Sequence, residues 1–146
     1  MVNKILFGTC LTEYCDHVFN FTLNLAREYN AKLWIYHGMG AGKSAEEIKA
    51  AEARVAEAYA EKMKAGGFSD YMINVSSEEA VSGLVKLARD AQIDLLVMGT
   101  STQTPLAVSE AAGPGKLGET TGETLLASPC PVLVVPPSMI PGLAQG

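Results

Sequence analysis

The 146-residue chain reads as a doubly wound α/β domain built on one five-stranded parallel sheet. Three observations carry that reading. Five short apolar runs alternate with four segments of helical periodicity, the order that right-handed β-α-β crossovers produce. The runs are continuously apolar rather than alternating, as strands covered on both faces are. The run through residues 95–98 stops at Gly99, a glycine-rich segment follows, and a short helix opens near Gly118. A strand that ends at glycine and hands over to a helix N-terminus is how α/β proteins build an anion-binding loop.

The elements follow in order. Residues 4–9 (KILFGT) suit a buried first strand. Val18, Phe21, Thr22, Leu25, Ala26 and Tyr29 then recur at helical spacing, with Asp16, Asn20, Asn24 and Arg27 on the other face. Thr12 or Asp16 suits the N-cap of that helix and Asn30 its C-terminal end. Residues 32–37 (KLWIYH) form the second strand. A long helix starts at Ser44, an N-cap with Glu47 at the capping-box position, and ends at Gly66-Gly67. Its many Glu, Lys and Arg residues read as a solvated face with i, i+4 pairs. Residues 71–75 are the third strand, and Val81, Leu84, Val85, Ala88 and Ala91 mark the next helical face. Residues 93–98, 118–127 and 131–135 complete the alternation as strand, helix and strand. One domain over residues 1–137 is expected, and the proline- and glycine-rich residues 138–146 form a tail with little to bury, expected to be mobile. No internal repeat is visible.

Composition narrows the function classes. An apolar fraction of 48% is ordinary for a globular chain. A net charge of −5 and no Lys/Arg run argue against nucleic acid as a partner. No apolar stretch approaches the roughly 18 to 20 residues of a membrane span, and MVNKILFGTC lacks a signal-peptide cleavage pattern. The expectation is a cytoplasmic protein with no membrane association. Cys10, Cys15 and Cys130 leave one thiol unpaired under any disulfide scheme, and no Cys-x-x-Cys occurs. His17 and His37 are too far apart for a local zinc motif, so no metal site is expected. His17, beside Asp16, reads as a surface residue. No nucleophile comes with an identifiable base and orienting acid, so no catalytic residue is assigned.

Two local patterns invite a ligand reading. GMGAGKS, from Gly38 to Ser44, lies between a strand and a helix, but a phosphate-binding P-loop requires glycine at the position His37 occupies. A turn followed by the Ser44 cap accounts for it. Cys10 and Cys15 lie across a strand-to-helix turn, a spacing that fixes no disulfide geometry. They read as inert, buried or half-buried thiols.

The last third resembles the universal stress protein family, whose C-terminal signature runs Met-Gly-x-x-Gly, nine residues, Gly-Ser/Thr, then Pro-Cys-Pro-Val-Leu-Val-Val. Met98-Gly99, Gly118 and the run from Pro129 to Val135 match it, and the similarity extends to KILFGTCLTEY at the start. The resemblance implies an adenine nucleotide alpha hydrolase-like fold with strand order 3-2-1-4-5 and a homodimer formed through the last strand. It also implies a nucleotide crevice at Gly8, Thr9, Cys10, Gly38, Met98, Gly99, Thr102, Gly118, Glu119, Thr120 and Thr121. Three of these positions depart from the family pattern. Cys10 stands where the family's aspartate binds adenine, and a thiol is a weak donor and acceptor. Thr102 replaces the second glycine, adding bulk where backbone amides approach phosphate. Glu119 replaces the Ser/Thr and competes with phosphate for the helix amides. The nine-residue spacer becomes the fifteen residues from Gln103 to Leu117, though Thr120, Thr121 and Lys116 still offer hydroxyls and a cation. The expectation is a dimeric binding or regulatory module of the stress response, not an enzyme and not an efficient ATP binder. It requires no cofactor and acts with a protein partner the sequence does not identify. Two alternatives stand: an ATP- or AMP-binding member with slow or no hydrolysis, and a thiol-based sensor using Cys10.

Overall fold

The computed structural model describes residues 2–9, 11–100 and 118–136. In chain order the elements are β1 (Lys4–Gly8), α1 (Glu13–Tyr29), β2 (Lys32–Gly38), α2 (Ala45–Ala65), β3 (Tyr71–Ser76), α3 (Ala80–Asp90), β4 (Leu95–Gly99), α4 (Glu119–Ala127) and β5 (Val132–Val135). The strands pair in the order β3-β2-β1-β4-β5, and every pairing is parallel. The doubly wound sheet and its strand order are as expected. β1 and β4 lie side by side at the centre, with Ile5 opposite Leu95 and Phe7 opposite Val97. The chain turns outward in opposite directions from these two strands, so their carboxyl ends frame a crevice that no connection crosses.

Alternation along the strands divides the core into two layers. Ile5, Phe7, Leu33, Ile35 and Val97 face α1 and α2, whose Val18, Phe19, Val55, Tyr59 and Met63 cover them. Leu6, Trp34, Tyr36, Leu96 and Met98 face the other way, onto Leu84 and Ala88 of α3. Each fully buried Leu, Ile or Phe contributes roughly 1.5–3 kcal/mol of transfer free energy. The central strands therefore anchor the fold.

The helix ends follow the local chemistry of the sequence. Thr12 caps α1, its Oγ1 accepting from Cys15 N–H at 3.2 Å. Asn30 takes the left-handed conformation (φ 54°) and its N–H reaches the Ala26 carbonyl. Ser44 and Glu47 form a reciprocal capping box at 3.1 and 3.2 Å. The pair holds the Glu47 carboxyl below its usual range, chiefly through the bonds to Ser44 and less through Lys43.

Two expectations require correction. The buried face of α1 is Tyr14, Cys15, Val18, Phe19, Thr22, Leu23 and Ala26, not the face through Phe21, Leu25 and Tyr29. Phe21 and Leu25 only flank the core, and Tyr29 is 46% exposed. His17 is half-buried on this helix rather than on the open surface. The tail at 138–146 lies outside the described residues. No described helix is long and apolar enough to cross a membrane.

Candidate functional site

The carboxyl ends of β1, β2 and β4 open onto a crevice of ≈ 230 Å³. β1 contributes Gly8 and the following Thr9, β2 contributes Tyr36, His37 and Gly38, and β4 contributes Met98 and Gly99. Helices close the sides: Cys15 from α1, Ala80 and Leu84 from α3, and Thr120 and Thr121 from α4. No Lys, Arg, Asp or Glu stands among these lining residues. The described wall is uncharged and more apolar than polar.

Thr9 is the most connected residue of the wall. Its N–H donates to the Tyr36 carbonyl at 2.9 Å, extending the β1–β2 pairing by one residue. Its own carbonyl accepts from His37 Nδ1 at 2.9 Å. A carbonyl can only accept, so that bond places the proton on Nδ1 and leaves Nε2 of the neutral ring as an acceptor. Thr9 Oγ1 accepts from Leu11 N–H at 3.0 Å and pairs with the Tyr59 hydroxyl at 2.6 Å.

A second set of bonds fixes the end of β4. The Tyr14 ring lies so close to Gly99 that a β-carbon there would come within 2.7 Å of it. Only glycine fits. The Tyr14 hydroxyl donates to the Val135 carbonyl at 2.5 Å and accepts from Thr100 N–H at 2.9 Å. Thr121, fully buried, donates from Oγ1 to the Gly99 carbonyl at 2.8 Å, and Gly118 N–H reaches the Thr100 carbonyl at 2.8 Å. On the far side, Tyr36 bonds Ser76 Oγ at 2.7 Å. Burial, aided by the charges of Glu78 and Glu79, pushes the Tyr36 phenol up against the opposing effect of that bond.

Of the residues assigned from the sequence, Gly8, Thr9, Gly38, Met98, Gly99, Thr120 and Thr121 meet in this crevice. Gly118 sits just outside it as the N-cap of α4, and Glu119, exposed, is the first helical residue. Gly118, having no side chain, supplies no side-chain cap to the first turn of α4. Cys10, Thr102, Lys116 and the 103–117 segment lie outside the described residues. The GMGAGKS segment is a turn with Gly40 and Gly42 at φ 89° and 83°, followed by the Ser44 cap. The N–H groups of Met39 and Gly40 donate to Ser76 and Glu78 carbonyls, which removes them as phosphate donors.

Sequence reading missed Tyr36, His37, Ala80 and Leu84 as wall residues, and Cys15, taken as an inert thiol, lines the wall too. Tyr36 and His37 carried a signal, since they end the strand that precedes Gly38. Ala80 and Leu84 carried none, because their approach depends on how the β3–α3 crossover sets the helix.

The chain matches the model of the universal stress protein family over residues 1–136. No curated protein matches it. Solved structures similar to it include a universal stress protein in complex with cAMP, at 23% identity and TM-score 0.71, covering 92% of this chain and 96% of that one. The universal stress protein UspA from Lactobacillus plantarum aligns at 18% identity and TM-score 0.72, over 92% and 97% of the two chains. A universal stress protein from Archaeoglobus fulgidus in complex with dAMP aligns at 15% identity and TM-score 0.65, again over 92% and 97%. At these identities the similarity is one of fold.

Proposed function

This chain belongs to the universal stress protein family, and we propose that within it the chain is a cytoplasmic, dimeric binding module of the stress response. It regulates by occupancy rather than catalysis, and its crevice takes the nucleoside end of an adenine nucleotide in preference to a triphosphate. One observation carries the reading: an uncharged crevice at the switch in strand order, with a carboxylate at the first position of the adjoining helix α4. A volume of ≈ 230 Å³ is below the roughly 300–1,000 Å³ of sites for drug-sized ligands, which favours a base with part of its sugar. Glu119 opposes further negative charge where the α4 amides would otherwise attract it.

Calorimetric titration with adenosine, AMP and ATP tests this. Adenosine and AMP should bind at least as tightly as ATP. Micromolar ATP affinity exceeding both would refute the preference. The combined variant Cys10→Asp, Thr102→Gly, Glu119→Ser should then gain ATP affinity over the unmodified chain. No gain would assign the barrier to the longer 103–117 segment.

A second reading, a nucleotide binder with slow or no hydrolysis, is favoured by the uncapped first turn of α4 and by the cAMP and dAMP complexes of similar proteins. Release of phosphate from ATP, measured over hours, would support it against the first. The thiol-sensor reading depends on Cys10. Oxidant-dependent loss of adenosine binding, abolished by Cys10→Ser, would favour it.

For the dimer, the support is the position of β5 at the end of the sheet, with no described strand beyond it. Val132, Leu133 and Val134 are only partly covered, and Leu126 on the preceding helix is 91% exposed. A bare apolar edge strand invites pairing, and a second copy across a two-fold axis supplies it. Leu133→Lys or Val134→Lys should halve the mass measured by light scattering. An unchanged mass would refute the seam.

A further inference from the structure

We propose that Tyr59, in the long helix α2, is a positioning residue for the crevice: acting through the hydroxyl of Thr9, it holds the turn between β1 and α1 in its left-handed form. The buried stripe of α2 is Ala51, Val55, Tyr59 and Met63. Tyr59 Oη is its single polar side-chain atom. The ring cannot move easily, because it stacks on Phe19 at 4.3 Å between centroids and meets Phe7 edge-on at 5.8 Å. Its hydroxyl is thus a fixed point set against the end of β1.

That fixed point meets a strained turn. Leu11 has φ 62°, a region that residues with a β-carbon rarely hold and that leucine has no polar side chain to offset. The one described bond made by its N–H goes to Thr9 Oγ1 at 3.0 Å, a local side-chain turn that competes well only while the threonine keeps one rotamer. The 2.6 Å bond to Tyr59 selects that rotamer. Burial, reinforced by the Cys15 and Asp16 charges, keeps the phenol protonated well above its ordinary range, against the opposing effect of the Thr9 bond. Either hydroxyl can donate in the bond between them, so the contact holds while both keep their protons. Thr9 itself lines the crevice, and the residue between Thr9 and Leu11 is Cys10. A residue on a helix that contributes nothing to the crevice wall thereby sets the shape of one wall. A merely space-filling tyrosine would be replaced by phenylalanine without effect on this turn.

The test compares Tyr59→Phe, Thr9→Val and the double variant by amide hydrogen exchange on the full chain. Phenylalanine keeps the ring stack, so the fold is retained. Loss of one hydrogen bond of about 1 kcal/mol corresponds to roughly a five- to tenfold change in opening, so Leu11 N–H should exchange about five- to tenfold faster in Tyr59→Phe. The amides of Ile5 and Leu33, in the sheet, should keep their rates. The double variant should exchange at Leu11 no faster than Thr9→Val alone, because Tyr59 acts through Thr9. Unchanged Leu11 exchange in Tyr59→Phe overturns the proposal, as does acceleration shared equally by Ile5 and Leu33. The consequence for ligands rests on the nucleoside reading above: Tyr59→Phe should weaken adenosine binding several-fold. If the unmodified chain binds no adenosine, that reading fails, while the exchange rates still decide the role of Tyr59.

Discussion

Replacing Gly83 by alanine should destabilise this protein although it removes a glycine from a helix. Gly83 lies in the first turns of α3, and a β-carbon built there would fall 1.7 Å from the Tyr36 hydroxyl oxygen and 2.6 Å from its Cζ. Tyr36 is 4% exposed and packed among Leu84, Trp34 and Met98, so the ring can yield only by giving up that packing and moving within the crevice it lines. Helix propensity alone favours alanine by about 1 kcal/mol. Overpacking a closed site costs roughly 1–3 kcal/mol. Displacing the Tyr36 hydroxyl from Ser76 costs about 1 kcal/mol more. The net effect is a loss of about 1–3 kcal/mol, a fall in Tm of some 4–8 °C at the middle of that range. Urea unfolding gives the number, and a second background isolates its cause. With Tyr36→Leu already present, the obstructing phenol is gone, and Gly83→Ala should become neutral or stabilising by up to about 1 kcal/mol. The two substitutions should therefore be non-additive by roughly 1–4 kcal/mol. An equal loss in both backgrounds would refute the steric argument and assign the glycine some other duty.

Three further outcomes are expected. Thr121→Val keeps shape but removes the donor to the Gly99 carbonyl, and should cost about 1–2 kcal/mol in urea unfolding; a neutral result would mean that another donor reaches that carbonyl. Asp94 accepts from the N–H groups of Asn3 and Lys4 at 2.8 and 2.9 Å, so Asp94→Ala should cost about 2 kcal/mol by the same measurement, and Asp94→Asn, which keeps one acceptor oxygen, less. Tyr59 and Tyr36 both have phenols pushed above the ordinary value of 10.0. The folded chain thus holds those protons after the unfolded chain has released them. Their contribution is complete below about pH 10 and declines as pH rises beyond it, by up to roughly 1.4 kcal/mol per pH unit for each phenol. Unfolding midpoints measured from pH 9 to pH 11 should fall less steeply in Tyr59→Phe, and parallel slopes would show that Tyr59 is not responsible.

The parts of this molecule that could be read from the sequence are those whose cause is local. Short apolar runs located all five strands, three of them ending at a glycine, because a strand's register with its neighbours matters less to its existence than its own composition does. Thr12 (one of two candidates, with Asp16), Asn30, Ser44 with Glu47, and Gly66 marked the ends of α1 and α2, since each satisfies backbone groups within four residues of itself. The orientation of α1 was not local. That helix packs against the sheet on one side and α2 on the other, and the competition turned its core face from Phe21 and Leu25 toward Phe19 and Leu23. The glycine and threonine positions of the crevice were legible as strand ends and a helix start. The tyrosines that fix its walls were not: Tyr36 finds Ser76 40 residues away, Tyr59 meets Thr9 at 50, and Tyr14 reaches Val135 at 121. Nothing within a window of the sequence relates those pairs.

These distant bonds also bear on which ligand the crevice suits. Backbone N–H groups are the usual means by which α/β loops hold phosphate, so it matters where those near the strand ends are already directed. Thr9 N–H is engaged by Tyr36, Thr100 N–H by Tyr14, Gly118 N–H by Thr100, and Met39 and Gly40 N–H by Ser76 and Glu78. Each of these donors would have to leave a protein acceptor before it could serve a ligand, at the cost of a buried carbonyl or hydroxyl left unpaired. The first turn of α4 has no side-chain cap from Gly118, and there Glu119 already supplies a negative charge. A ligand whose recognition depends on a planar, largely apolar face therefore gains from Met98, Leu84 and Ala80 without disturbing any bond, whereas an added phosphate must either displace one of the bonds above or sit beside Glu119. On this argument affinity should not rise from adenosine through AMP to ATP, and a monotonic rise along that series would mean that donors from the 101–117 segment dominate the site.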